Sequence, residues 1–209
     1  MNRHNVKKLI SALNRTADVV LLNILWIVTS IPIITIGLAS SSAFHTYQIT
    51  IVQGKGHVIQ TYFQSFQQNW KQAFPIGILL VAAQICSLVL LRNTINGDGQ
   101  EITILTAISF YFLIVLNYQL YVYPLIGHYN LNTLQIFYIA SRLILFHPLC
   151  SFTLAIISGV LIICIVYYPP MILLAPGGYF FLTSKIYNYL FSKYIKTADN
   201  LHQKLTDNE

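Results

Sequence analysis

The chain has 209 residues, of which 56% are hydrophobic and only 9% are charged, whereas about a quarter of a typical soluble domain is charged. This composition excludes a soluble globular domain and predicts an integral membrane protein in contact with the lipid bilayer. The net charge of +6 comes from cations scattered over flanks and loops, and that scatter argues against a nucleic-acid partner.

We expect a single membrane domain over residues 1–209, folded as an all-α, polytopic helical membrane bundle. Residues 1–16 are predicted to form a cytoplasmic juxtamembrane segment, because their cations suit the anionic headgroups of the inner leaflet. No charged side chain then occurs between Asp18 and Lys55. Roughly 20 helical residues cross the hydrocarbon core, so this run is too long for one crossing.

Five clear transmembrane helices are predicted from the apolar runs at 18–34, 72–91, 102–124, 148–168 and 171–191, with residues 38–53 as a weaker sixth pass. With five passes, the loop of Lys55 and Lys71 and the polar tail 192–209 would face outside, against the positive-inside rule. A turn at 32–37 followed by a sixth pass places both regions and both termini in the cytoplasm. The five-pass alternative makes residues 38–53 an interfacial helix.

Residues 18–91 contain this turn and, after it, a predicted interfacial helix at 58–71. Pro32 removes a backbone donor and Gly37 relieves steric limits, as expected where the chain turns back. Small residues at 39–43 then permit close helix contact in lipid. The interfacial helix carries aromatic residues on one face: Tyr62, Phe63, Phe66 and Trp70. This pattern suits the membrane interface, and a partner-binding element is the alternative.

The remaining transmembrane helices are expected within residues 102–191. An Asn-Gly-Asp-Gly sequence at 96–99 predicts a short extracytoplasmic turn before them. Tyr118, Tyr121 and Tyr123 crowd the end of one helix and are typical of an aromatic belt at the interface. The Pro-Gly-Gly sequence at 176–178 is expected to kink or interrupt the last helix.

Acidic residues are too few and too scattered for membrane enzymology. The chain has six of them, and only Asp18 adjoins a predicted helix, while the others lie in the 96–101 region and in the tail. Neither paired carboxylates nor a zinc, nucleophile or phosphate-loop motif occurs in the sequence. We therefore expect no enzyme activity, no catalytic residue, no cofactor and no metal site.

Several polar side chains are predicted to face the interior of the bundle, since an unpaired amide in hydrocarbon costs several kcal/mol. These are Asn23, Asp18, His45, Gln84, Asn117 and Gln119. Asp18 is expected to open the first helix and to pair with Arg15 three residues earlier. His45 is expected to make an interhelical hydrogen bond. For the amides, lining a solute path is the alternative.

A family resemblance rests on the first third of the chain. Asn23-x-x-Trp26, the element with Pro32, Thr35 and Gly37, the following Ala/Ser-rich stretch, and Phe63-x-x-Phe66 leading to Trp70 together resemble the YesL-like family. This family comprises small bacterial integral membrane proteins with a domain of unknown function. The resemblance implies a location in the bacterial cell membrane. Family members are often encoded beside carbohydrate ABC-transporter and glycan-degradation genes.

On this resemblance we expect a non-catalytic integral membrane protein that acts as an accessory or regulatory component associated with carbohydrate ABC uptake. Its partner would be an ABC-transporter permease or ATPase, docked through the aromatic helix and the basic cytoplasmic loops. The alternative is a stand-alone small-solute transporter or channel whose path is lined by Asn23, Gln84, Asn117 and Gln119.

Overall fold

The fold was obtained as a computed structural model and is helical in every regular element of the described residues. The structure describes the backbone of residues 3–96, 102–129 and 131–206, and the side chains of residues 13–95, 102–129, 131–174 and 176–191. Most of the predicted 96–99 turn and the end of the tail therefore lie outside the described part, as do the side chains of Arg3, Lys7 and Lys8.

Seven α-helices follow one another along the described chain. They are α1 (Arg3–Ser30), α2 (Ile36–Thr46), α3 (Val58–Asn96), α4 (Ile102–His128), α5 (Thr133–Phe146), α6 (Pro148–Tyr167) and α7 (Ala175–Thr206). A 3-10 turn at Ile33–Thr35 precedes α2, a π-helical segment at Tyr47–Val52 follows it, and a second 3-10 turn at Pro169–Leu173 precedes α7. The predicted all-α class is confirmed.

Three of the described helices, α3, α4 and α6, are long and apolar enough to cross a membrane by length and composition. The five predicted crossings overlap α1, α3, α4, α6 and α7. Length and composition do not single out α1 or α7 as crossings in the part of the chain described, so the predicted number of five is not confirmed.

Two predicted helix boundaries are wrong. Asp18 does not open a helix but lies in the middle of α1, which begins at Arg3, so it has no helix N-terminus to stabilise. The last helix begins at Ala175 rather than at 171, and Pro176 lies in its first turn. Proline is tolerated there because the first backbone N–H groups of a helix have no partner within it, so the Pro-Gly-Gly sequence starts α7 instead of kinking it.

Helix α2 lies at the centre of the bundle and packs against α1, α3 and α4. Most of its side chains are buried: Gly37, Leu38, Ala39, Ser41, Ser42, Ala43, Phe44 and Thr46. A helix enclosed by other helices does not need a lipid-compatible surface, and its small residues let neighbouring backbones approach closely. The weak hydrophobicity of residues 38–53 is therefore explained by enclosure.

Two glycine contacts set the distances around α2. A Cβ atom added to Gly37 would lie 2.7 Å from the Cα atom of Gly77 in α3 and 2.9 Å from the Cε1 atom of Tyr123 in α4. A Cβ atom added to Gly127 in α4 would collide with the backbone carbonyl oxygen of Ser41. The three helices consequently meet backbone to backbone.

Candidate functional site

The turn between α1 and α2 satisfies its own backbone groups. The Thr35 hydroxyl lies 2.5 Å from the carbonyl oxygen of Thr29 and 2.6 Å from that of Pro32. The backbone N–H of Thr35 also donates to the carbonyl oxygen of Pro32, at 2.8 Å. Pro32, Thr35 and Gly37 therefore have structural roles in the described chain: a restricted φ angle, a side-chain donor and a close helix contact.

Two side chains of α1 bind other helices. The indole Nε1–H of Trp26 donates to the Ser40 hydroxyl in α2, at 3.1 Å. The fully buried Asn23 side chain accepts a hydrogen bond from the backbone N–H of Gly177 through Oδ1, at 2.7 Å. Because that N–H belongs to the first turn of α7, Asn23 supplies a partner that the helix itself cannot provide. Its own Nδ2 atom is buried without a partner.

The other predicted interior amides are engaged at separate places. Gln119 donates through Nε2 to the carbonyl oxygen of Leu80 in α3, at 3.1 Å, whereas Asn117 donates to Leu113 of its own helix, at 2.9 Å. Both amide atoms of Gln84 are buried without a partner, as is Oδ1 of Asn117. The described contacts thus do not join Asn23, Gln84, Asn117 and Gln119 into one polar path.

His45 makes an interhelical contact near the end of α2. Its Nδ1 atom forms a hydrogen bond with the backbone carbonyl oxygen of Gly127 in α4. The same glycine contacts Ser41, so one position of α4 receives both the imidazole ring and the backbone of α2. In the described part of the chain, no group of three or more His, Cys, Asp or Glu residues is arranged to hold a metal ion.

The predicted aromatic belt on α4 is wrong for two of its three members. Tyr121 is fully buried and its hydroxyl lies 3.0 Å from that of Ser151, and Tyr123 is only 8% exposed. Burial of Tyr121 is possible because its hydroxyl finds a partner inside the protein. The Tyr123 hydroxyl is buried without one. Tyr118 is half-buried, and its hydroxyl oxygen lies 2.7 Å from that of Ser141 in α5.

A cavity of about 310 Å³ lies between α1, α2, α4, α6 and α7. Its lining includes Trp26, Ser40, Gln119, Tyr123, Leu161 and Tyr179. Trp26 and Gln119 were predicted from the sequence as a family-like and an interior residue. Ser40 was predicted only as a small residue at a helix contact, and Tyr123 only as a member of an aromatic belt. Leu161 and Tyr179 were missed, since they come from distant segments and no local motif connects them.

A second surface lies on the first half of α3. Phe63 and Trp70 are 44% and 51% exposed, while Tyr62 of the same helix is fully buried. Phe66 is half-buried and its ring stacks on that of Tyr62, with centroids 6.2 Å apart. The helix at 58–71 therefore has one buried face and one exposed face that carries aromatic side chains. It continues through Pro75 into the apolar half of α3.

The structure divides the predicted residues into three groups. Trp26 and Gln119 meet at the cavity, with Asn23 one turn before Trp26 on α1. Pro32, Thr35 and Gly37 form the turn, and Phe63, Phe66 and Trp70 form the exposed stripe on α3. Asp18, Gln84 and Asn117 belong to none of these groups, and His45 lies at the contact between α2 and α4.

Comparison with known proteins gives two matches. A family model described as "Protein of unknown function, DUF624" matches residues 19–91. The chain is also 24% identical over 190 residues to the uncharacterized protein YesL of Bacillus subtilis (strain 168), covering 88% of this chain and 87% of that protein. No solved structure matches it significantly. The turn, the central helix α2 and the aromatic stripe all lie within the matched region, and both matches support the resemblance to the YesL-like DUF624 family.

Proposed function

We propose that this protein is a non-catalytic integral membrane component that assists or regulates carbohydrate ABC uptake by docking on a permease or an ATPase. The observation that supports docking is the stripe on α3, formed by the exposed Phe63 and Trp70 and the half-buried Phe66. Ile59, which is also exposed, lies one turn before it. Aromatic side chains are enriched in the buried centres of protein interfaces, where they contribute much of the binding energy. The link to carbohydrate uptake rests on the family resemblance.

Charge and hydrogen-bonding groups around the stripe are compatible with a protein partner. Lys55 and Lys71 are exposed near its two ends. Gln64, Gln67 and Gln68 are exposed on the same half of α3 and offer uncharged donors and acceptors. Neutral amides can enter an interface at lower desolvation cost than charged groups.

The proposal includes a location in the bacterial cell membrane, with several passes and both termini in the cytoplasm. The apolar helices α3, α4 and α6 support membrane insertion. The cations of the first 16 residues, of the 53–57 loop and of the tail support a cytoplasmic side for all three regions.

Affinity purification of the tagged full-length protein from native membranes tests the partner. We expect a carbohydrate permease or its ATPase to be recovered with the unchanged protein. The double variant Phe63→Gln, Trp70→Gln should lose it. The matched control is Phe110→Gln, which changes an aromatic residue that is 65% exposed on α4. Repeated recovery of neither component with the unchanged protein would overturn the proposal.

A stand-alone solute transporter is the second candidate, and the cavity with Gln119 in its wall is the observation that favours it. Uptake into reconstituted vesicles tests this function. If the cavity is part of a path, Gln119→Ala should change the flux without reducing the amount of protein in the vesicles. Gln84→Ala is the control, because Gln84 does not line the cavity. Uptake equal to that of empty vesicles would reject a transport activity.

A further inference from the structure

The cavity between α1, α2, α4, α6 and α7 has a wall of uncharged groups. Its apolar lining includes the aromatic rings of Trp26 and Phe180 and the aliphatic side chains of Leu161, Ile165 and Ile172. None of the described residues that line it is Lys, Arg, Asp, Glu or His. A charged ligand would therefore lose its hydration without gaining an ionic partner.

Most polar groups of the wall already have partners within the protein. The Ser40 hydroxyl accepts from Trp26, and Nε2 of Gln119 donates to the carbonyl oxygen of Leu80. The Ser158 hydroxyl donates to the carbonyl oxygen of Ala155, at 2.9 Å, and the hydroxyls of Tyr179 and Tyr187 are 2.7 Å apart. The Tyr123 hydroxyl is buried in this wall without a partner. Beyond it, few groups are left to bind a sugar or a cluster of water molecules, and largely apolar cavities exclude water.

The outer side of one cavity wall faces the membrane. Leu161 and Ile165 of α6 line the cavity, while Ile162 and Ile163 of the same helix are 52% and 57% exposed. Because α6 is apolar and long enough to cross a membrane, its exposed face would lie against hydrocarbon once inserted. The chain segments closest to this wall are therefore those of bilayer lipids.

From wall chemistry, size and position together, we propose that the cavity binds one hydrocarbon chain of a bilayer lipid. A volume of about 310 Å³ is at the lower end of the range for small-ligand pockets. It accommodates part of one chain, with the headgroup left outside. The site is independent of the α3 stripe, so it does not rest on docking to a transporter.

Photo-crosslinking tests the site in the full-length protein. The probe is phosphatidylglycerol with a diazirine near the end of one acyl chain, mixed into phosphatidylethanolamine vesicles that contain the purified protein. After illumination and digestion, we expect peptides covering 158–165 and 176–180 to carry several times more label than the exposed apolar peptide covering 85–90. Equal labelling of all exposed apolar segments would overturn the proposal.

Three variants of α6 sharpen the result. Leu161→Trp places a larger ring in the cavity and should reduce labelling of 176–180 several-fold. Ile163→Trp, on the exposed face of the same helix, is the matched control and should leave it unchanged. Leu161→Ala enlarges the cavity and should retain the label, which separates filling of the site from damage to the fold. Equal labelling of the two tryptophan variants would refute a lipid chain in the cavity.

Discussion

At the scale of single residues, Gly127 shows how closely two helices of this bundle approach. The backbone of Ser41 occupies the position that a side chain at Gly127 would need, and His45 binds the Gly127 carbonyl oxygen. Close contacts of this kind let weak Cα–H···O interactions form between helices and exclude any larger residue. The contact joins α2, at the centre, to α4.

Adding one methyl group at this position should separate the two helices. We expect Gly127→Ala to destabilise the protein by about 1–3 kcal/mol, as for other overpacked sites. The matched control is Gly159→Ala in α6, where an added Cβ atom meets nothing within 4 Å. This control should be neutral or stabilising by up to about 1 kcal/mol, because alanine favours helix. Unfolding in detergent micelles measures both, and equal stabilities would contradict the close contact.

The sequence predicts the environment of polar residues better than it predicts their partners. An amide in an apolar helix has to be buried and bonded, so an interior position for Asn23 follows from residue type alone. Its partner is 154 positions away in α7, and no local pattern contains that information. The sequence predicts an interfacial belt at Tyr121 and Tyr123, because a tyrosine among apolar residues is expected both at the membrane interface and in a helix-bundle core. Only the fold distinguishes the two environments.

At the scale of helices, hydrophobicity detects lipid-facing helices more readily than enclosed ones. Helices α3, α4 and α6 have long apolar runs and exposed aliphatic side chains. Helix α2 is short and rich in serine. Its position at the centre of the bundle becomes evident only from the tertiary contacts. Helix α5 was not predicted as a separate element. It has 14 residues and begins with a reciprocal capping box between Asn132 and Gln135.

The first half of α3 can be tested with the tryptophans of the chain, which number two. In the variant Trp26→Phe, fluorescence reports on Trp70 alone. We expect bromine near the lipid headgroups to quench Trp70 more than bromine deep in the acyl chains, because the stripe is predicted to lie at the interface. Trp70→Phe, which leaves Trp26 in the cavity wall, should show the opposite depth preference. Equal quenching of Trp70 at both depths would contradict an interfacial position.

At the scale of the whole molecule, the position of the α1–α2 turn bears on topology. Gly37, just after the turn, contacts Gly77 in the middle of α3. At ~1.5 Å per residue, Gly77 is about 28 Å along α3 from its end at Asn96, close to the thickness of the hydrocarbon core. If Asn96 marks one surface of the core, Gly77 and the turn beside it lie near the opposite boundary, so the chain would reverse without completing a crossing. In that arrangement Lys55 and both termini would share one side of the membrane, as they would with a complete sixth pass.

Single cysteines distinguish the two arrangements once Cys86, Cys150 and Cys164 are replaced by alanine. We expect Lys55→Cys to react with an impermeant maleimide only from the cytoplasmic side and Asp98→Cys only from outside. Lys55 is preferred over its neighbours Gly54 and Gly56, which have positive φ angles that other residues rarely adopt. Ile33→Cys, in the exposed part of the turn, should resist labelling from outside. Labelling of Ile33→Cys from outside would instead establish a complete sixth pass.

The enclosure of α2 also has a consequence for how the protein is made. A segment rich in serine and small residues gains little free energy from entering lipid by itself, since insertion depends on large aliphatic side chains. Two of its packing partners, α3 and α4, are synthesised after it. During biosynthesis, α2 therefore has only the preceding α1 to pack against until α3 and α4 have been synthesised. We expect a chain that ends before α4 to leave much of the α2 surface without its packing partners.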